Sequence, residues 1–189
     1  RGHGVRFSPQ GAVVIPMLDV AGNIHGLQIV RGRVAGQKSR RLEKEFWPAG
    51  LVKKGHFHQL GMAGGSPVLL VAEGYATAAS LHEATGYPVA VAFDAGNLAH
   101  VTKALRQQYR AALLVVCGDD DRATEARTGT NTGRVKAEAA ARAVRGLAVF
   151  PEGLPDGGSD FNDMHQAQGL DAVGALVGEA IAAHQAGQA

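Results

Sequence analysis

Ala111-Ala112-Leu113-Leu114-Val115-Val116-Cys117-Gly118-Asp119-Asp120-Asp121 is an apolar run that ends abruptly in three acids. The run reads as a buried strand. Three carboxylates at the end of a buried strand repel one another and cost free energy unless something positive sits among them. A divalent metal is the usual compensation. A second run, Val68-Leu69-Leu70-Val71-Ala72, ends in another acid, Glu73, followed by Gly74. Two buried strands that each deliver carboxylates at the C-terminal end point to one shared metal site.

Working outward, the rhythm after Val68 is strand then helix. Strand 68–72 precedes a helix over 75–85, which Gly86 ends. Strand 88–92 precedes a helix over 98–109. Strand 112–117 is followed by a polar loop, 122–132. A helix over 133–145 leads through Gly146 into strand 147–150. A short helix near 161–167 and a longer one near 170–184 close the chain. Such alternation predicts an α/β fold with a central parallel sheet covered by helices on both faces. In such sheets ligands bind outside the carboxyl ends of the strands, where Glu73 and the Asp triplet lie.

The stretch before this differs in character. Residues 12–18 and 24–31 read as a hairpin around the turn Asp19–Asn23. Residues 32–60 read as irregular and basic, and 61–67 as a linker. The division predicted is a small β-rich basic subdomain over 1–66 and the α/β domain over 67–189. Hydrophobic residues make up 46% of the 189, enough for a real core, and aromatics only 5%, so Ala, Val and Leu must build it. A net charge of +2 says little about partners. Its distribution says more. Residues 31–54 carry Arg31, Arg33, Lys38, Arg40, Arg41, Lys44, Lys53 and Lys54 against only Glu43 and Glu45. Such a stretch suits a polyanion, and a solvated loop would also carry it.

The single cysteine, Cys117, excludes an internal disulfide and reads as a small core residue. No apolar run approaches the ~18–20 residues needed to span a bilayer, and no signal peptide is visible. A start at Arg1 rather than Met suggests a piece of a longer protein. A cytoplasmic location is expected.

Asp119 and Asp121 form a DxD pair whose side chains share one side of an extended segment, while Asp120 points the other way. Of the three, Asp120 is expected to tolerate substitution best. Oxygen-only ligands favour Mg²⁺ or Mn²⁺ over zinc. A third acidic segment, Pro155-Asp156-Gly157-Gly158-Ser159-Asp160-Phe161-Asn162-Asp163, offers two readings. Asp160 or Ser159 caps the next helix, or Asp160, with Asn162 or Asp163, completes the metal site. Phe46 and Trp47 either stack on a base or plug the gap between subdomains. His56 and His58 alternate in an expected strand beside Lys53 and Lys54, where they either bind phosphate or simply stand exposed, the plainer reading.

Val71-Ala72-Glu73-Gly74-Tyr75 together with Gly118-Asp119-Asp120-Asp121-Arg122-Ala123 resembles the TOPRIM domain of primases, topoisomerases, small nucleases and recombination factors. The flanks, with Leu154-Pro155-Asp156-Gly157-Gly158-Ser159-Asp160, look most like bacterial DnaG-type primases. Val14–Asp19, Gly22–Gly26, Lys44-Glu45-Phe46-Trp47-Pro48 and Lys53-Lys54-Gly55 resemble the primase subdomain ahead of TOPRIM. Asn131-Thr132-Gly133 and Asp160-Phe161-Asn162-Asp163-Met164-His165 look like primases of plasmids and phages.

The resemblance implies that Glu73, Asp119 and Asp121 are catalytic metal-binding acids and that Asp160 is a further acid at the metals. It implies that Lys44, Lys54 and, more loosely, Arg31 contact nucleotide or nucleic-acid phosphates. Arg122, in the loop 122–132, suits the same contact. Thr77 stands where DnaG has an acid, and Asn162 where an acid is usual. The expected function is a DNA primase core, a nucleotidyltransferase that makes short RNA primers on single-stranded DNA with Mg²⁺ or Mn²⁺. Its partners would be the template, ribonucleoside triphosphates and, as a candidate, a replicative helicase, with no membrane. DnaG-like primases usually carry a zinc-binding domain for template recognition, and these 189 residues show no zinc spacing, so feeble activity is expected of this stretch alone. A TOPRIM nuclease and a non-catalytic DNA-binding or recombination module are the rival readings.

Overall fold

The computed structural model describes residues 3–32 and 43–188. Of the basic stretch, Arg33, Lys38, Arg40 and Arg41 lie outside the described residues. Strands β1 (Arg6–Phe7), β2 (Val13–Leu18), β3 (Ile24–Arg31) and β4 (Glu43–Trp47) form an antiparallel sheet in that order. The β2–β3 hairpin forms as read. Its turn is closed by Asp19, whose carboxylate accepts the N–H groups of Ala21 and Asn23, the local bonding that makes Asp a turn former.

The second sheet runs in the order β5-β7-β6-β8-β9. Its strands are β5 (His58–Leu60), β6 (Val68–Ala72), β7 (Val89–Val91), β8 (Leu113–Cys117) and β9 (Leu147–Val149). β6 to β9 are parallel, and β5 pairs antiparallel with β7 at the edge. The helices are α1 (Tyr75–Thr85), α2 (Leu98–Gln108), α3 (Arg122–Thr128), α4 (Thr132–Ala143), α5 (Phe161–Gln168) and α6 (Leu170–Ala186).

Strand alternation sorts the core into two layers. Val68, Leu70 and Ala72 of β6, with Val115 and Cys117 of β8, pack under Ala78, Leu81, Phe161, Val173, Val177 and Ile181 of α1, α5 and α6. Leu69, Val71, Leu114 and Val116 face the opposite way, onto Leu98, Val101, Leu105, Ala137 and Ala141 of α2 and α4. Complete burial of each such aliphatic side chain stabilises by about 1.5–3 kcal/mol. Cys117 is one of these packing residues, and burial pushes its thiol pKa well above the ordinary value.

Three expectations need correction. Residues 32–60 are not wholly irregular, because they contain β4 and β5. β4 reads EKEFW, a mostly exposed edge strand without apolar alternation, and β5 is only three residues long. The loop 122–132 contains α3, a helix with no buried side chain and therefore no amphipathic period for a pattern reader to find. His58 is not exposed. It is 1% accessible, and its Nδ1 bonds the Pro16 carbonyl at 3.1 Å.

The two sheets are tied where the chain enters β5. Leu18 and Phe57 exchange backbone hydrogen bonds of 2.7 and 2.8 Å. Ile15 and Met17 of β2 share one core cluster with Leu60 and with β6. His58 sits at this junction with its Nε2 buried and unpartnered. Burial lowers its pKa to about 4, against the pull of the Pro16 carbonyl. The folded state therefore keeps His58 neutral between about 6.5, the value of the unfolded chain, and about 4. Its contribution is intact above pH 6.5, declines as pH falls toward 4, and changes no further below. Denaturant titrations at pH 7 and pH 4 should show wild type losing up to roughly 3 kcal/mol more than His58→Gln over that interval. Equal losses in the two proteins would refute this.

Candidate active site

α1 leaves β6 toward one face of the sheet, and α4, after β8, lies on the other. The exits of these adjacent parallel strands diverge, which opens a crevice at their C-terminal ends. Glu73 follows β6 directly, Asp119 lies two residues past β8, and both stand in that crevice. Gly118 permits the tight exit. A Cβ there would lie 2.5 Å from the Ala137 Cβ and 2.6 Å from the Phe150 ring.

The carboxylates feel one another. Burial, then Glu73, Asp160, Asp121 and Asp163 in turn, push the Asp119 carboxyl up to about 8. Burial, Asp121 and Asp94 raise Glu73, while the Ala95 backbone and Lys44 oppose them. Asp119 Oδ1 is buried and has no hydrogen-bond partner. An orphaned buried oxygen among like charges is the electrostatic signature of a missing cation or proton. Among the described residues no group of three or more His, Cys, Asp or Glu side chains is arranged to hold a metal ion by itself. An open, all-oxygen set suits a hard cation that keeps waters and takes further ligands from phosphates, as Mg²⁺ does.

The triplet is sorted by its surroundings. Asp121 accepts the Gly133 N–H at the start of α4 at 3.2 Å, where helix N–H groups favour an anion. Gly133 allows that approach, since a Cβ would lie 2.5 Å from the Asp119 carbonyl oxygen. Asp120 turns away from the crevice. Its oxygens meet Arg134 Nε at 2.9 Å, Asn131 Nδ2 at 2.8 Å and Arg122 Nε at 3.2 Å. Burial works to raise the Asp120 pKa, but Arg134, Asn131 and Arg122 overcome it and leave the carboxyl below its ordinary value. The expectation that Asp120 tolerates substitution best is corrected by this network.

The third acidic segment docks beside the triplet through one bond, Asp120 N–H to the Ser159 carbonyl at 2.7 Å. Asp160 caps α5 in a reciprocal capping box with Asp163. Its other oxygen accepts from Thr77 Oγ1 at 3.0 Å. Thr77 therefore orients Asp160 from α1. Asn162 and His165 bond Ser80 along the α1–α5 seam, away from cation chemistry.

Of the basic residues, Lys44 on β4 exerts a small opposing pull on the Glu73 carboxyl, outweighed by burial and the neighbouring acids. Lys54 lines a 240 Å³ pocket with Lys53, Asp94 and Asn97 beside the same crevice. Arg122 is drawn to Asp120, though its side chain remains about half exposed. Arg31 pairs with Glu45 on the N-terminal sheet. Asn131 spends its amide on Asp120, Asp121, Glu125 and Arg134. Phe46 and Trp47 divide. Phe46 packs edge-on against Phe93, with ring centroids 6.1 Å apart, and Trp47 is 58% exposed.

Asp94 is a residue that sequence reading missed, and Lys53 was seen only as part of the basic stretch. Asp94 follows the apolar run of β7 just as Glu73 follows β6, so the strand-end rule applied a third time would have found it. It pairs with Lys53, whose ammonium also lies 4.6 Å from the Phe46 ring centroid. Phe93, just before it, adopts the left-handed φ of 71°, uncommon for a bulky residue, and so turns the chain sharply out of the strand.

Residues 68–171, more than half of the chain, match the Toprim domain model, and the chain belongs to that family. Over 102 residues, 52% of this chain, it is 47% identical to a DNA primase TraC of Escherichia coli and 45% identical to a second. Those alignments cover 7% and 10% of the relatives, so the chain spans a small part of their length. The DnaG primase catalytic domain bound to ssDNA superposes with a TM-score of 0.58 at 20% identity, over 94% of this chain and 56% of that one. The Escherichia coli primase catalytic core gives 0.55 at 22% identity, over 93% and 57%. These neighbours share the fold, including the sheet that precedes the Toprim unit.

Asp120→Ala would strand Arg134 and Asn131 around an emptied, largely buried position. The arginines are half exposed, which moderates the cost. A loss of about 2 kcal/mol in urea unfolding is expected, with Asp120→Asn intermediate. Unchanged stability in both variants would contradict the network.

Proposed function

We propose that this chain is the catalytic core of a DNA primase, joining ribonucleotides into short primers on single-stranded DNA. The observation that carries the reading is the unpartnered Asp119 oxygen, under the charges of Glu73, Asp121 and Asp160. The TraC relatives are named DNA primases, and one structural neighbour is a primase domain bound to single-stranded DNA. Both support it.

In this reading Glu73, Asp119 and Asp121 hold Mg²⁺ or Mn²⁺, and Asp160 adds its remaining lone pairs. When bound, the cation lowers the pKa of an attacking hydroxyl and offsets charge on the phosphates. The 3′-oxygen of the primer forms a bond to the α-phosphorus of the incoming nucleotide, pyrophosphate leaves, and the hydroxyl proton passes to solvent. Thr77 and the capping box fix Asp160, and Gly133 fixes Asp121, so the acids are oriented before substrate arrives. Lys44 and Lys54 neutralise the triphosphate as negative charge develops on the leaving group. Arg122, about half exposed, exchanges Asp120 for a template phosphate in this reading. Arg31 and the basic segment 31–54 bind template backbone, with the steep salt dependence of phosphate contacts.

The unit over 1–66 thus supplies cations and the unit over 67–189 supplies acids. Single-stranded DNA and ribonucleoside triphosphates are the proposed partners, a replicative helicase is a further candidate, and the cytoplasm is the proposed location. Among the described residues no helix is long and apolar enough to cross a membrane.

The test is incubation with single-stranded DNA, labelled ribonucleotides and Mn²⁺. Labelled oligonucleotides are expected, and Asp119→Ala with Asp121→Ala should reduce them at least roughly 1000-fold, the scale of losing the groups that stabilise transition-state charge, while circular dichroism stays native. Cleaved template instead of product would make the protein a nuclease. Binding alone would make it a module. Synthesis by the double variant would overturn the site.

A further inference from the structure

Asn97 is 3% exposed and lies in the 3₁₀ turn Ala95–Asn97 that links β7 to α2. Its amide is spent on backbone groups. Oδ1 accepts the Gly55 N–H at 2.8 Å. Nδ2 donates to the His56 carbonyl at 2.9 Å and to the Ala92 carbonyl at 2.9 Å. One side chain thus does for residues 55 and 56 what a neighbouring strand would do, and anchors them to the end of β7. Gly55 and His56 lie 42 and 41 positions away in sequence. The bonded segment immediately follows Lys53 and Lys54.

A second contact holds the same strap. Asp94 caps the turn by accepting the Asn97 N–H at 3.0 Å, and it also pairs with Lys53. Asp94 lies just beyond β7, the parallel neighbour of the strand that leads into Glu73, so the strap is held at the same end of the sheet as the acidic crevice. A buried amide with every bond satisfied is costly to replace, because each lost partner leaves an unpaired backbone group.

We propose that Asn97 is a positioning residue that holds the Lys53–Lys54 strap beside the acidic crevice, so that both ammonium groups meet the phosphates of an incoming triphosphate. The inference deepens the primase reading by adding Lys53 and its clamp to the triphosphate site. Asn97 itself touches no substrate. Loss of its amide leaves Gly55 and His56 without their anchor, and the lysines then sample many positions instead of one.

The experiment compares wild type, Asn97→Ala, Lys53→Ala with Lys54→Ala, and the combination of all three, with inorganic triphosphate as the probe. Amide hydrogen exchange should show Gly55 protected in wild type and exposed in Asn97→Ala, with β6 and β8 amides protected in both. Calorimetry should show Asn97→Ala weakening triphosphate roughly tenfold in Kd at unchanged stoichiometry. A partly unfolded variant would instead lose sites and keep its Kd. Removing the lysines from Asn97→Ala should cost less than about twofold further, because the effects of coupled residues do not add. Gly55 protection that survives Asn97→Ala, a wild type that ignores triphosphate, an unchanged Kd, or fully additive effects would each overturn the proposal. Failure of primer synthesis with triphosphate binding intact would sink the polymerase reading and leave the clamp standing.

Discussion

Carboxylates crowded at the exits of three parallel strands repel one another, and much of the surrounding structure is arranged to hold them there. Glu73, Asp94 and Asp119 follow β6, β7 and β8, and Asp121 and Asp160 are brought in from the turn after β8 and the cap of α5. Left alone, such a group would splay or take up protons, and the raised pKa values of Glu73 and Asp119 record that pressure. The backbone resists it through close approaches that admit only glycine, at positions 118 and 133. The core strands beneath are fully buried and supply a rigid base.

The second line of resistance is polar and lies outside the crevice. Asp120, adjacent in sequence to two of the crowded acids, is removed from their company by Arg134 and Asn131. Arg134 also lies over the Phe150 ring, with 4.2 Å from its central carbon to the ring centroid. The guanidinium therefore links the triplet to the residue that follows β9. On the other side Thr77 and Asp163 share the two oxygens of Asp160. Asp120 and Asp160 thus have fixed partners, whereas Asp119 is left with a buried, unpaired oxygen. Function and foldability meet at that atom.

Much of this was legible in the sequence, for physical reasons that differ by element. β6 and β8 declare themselves because strands buried on both faces are continuous apolar runs. α1 declares its end because Gly86 takes the left-handed conformation. The DxD spacing announces which two acids share a side. β4 is silent because an exposed edge strand needs no apolar pattern, and α3 is silent because nothing on it is buried. The importance of Asp120 is invisible because its partners, Asn131 and Arg134, lie 11 and 14 residues away on another helix. His58 read as exposed because burial of a three-residue edge strand is decided by the other sheet, through Leu18 and Phe57. Asp94 was legible and overlooked, since one aspartate after a short strand attracts less notice than three.

The place of Cys117 carries a practical consequence. It is the chain's one thiol, it ends β8, an inner strand of the sheet, two residues before Asp119, and it is fully buried. A sulfur so placed is silent toward alkylating reagents while the sheet is closed, and it becomes reactive only when β8 opens. The molecule therefore contains its own gauge of integrity at the very strand that bears the acids. A substitution in the crevice that silences chemistry while the thiol stays unreactive has altered the site alone, and one that wakes the thiol has opened the sheet.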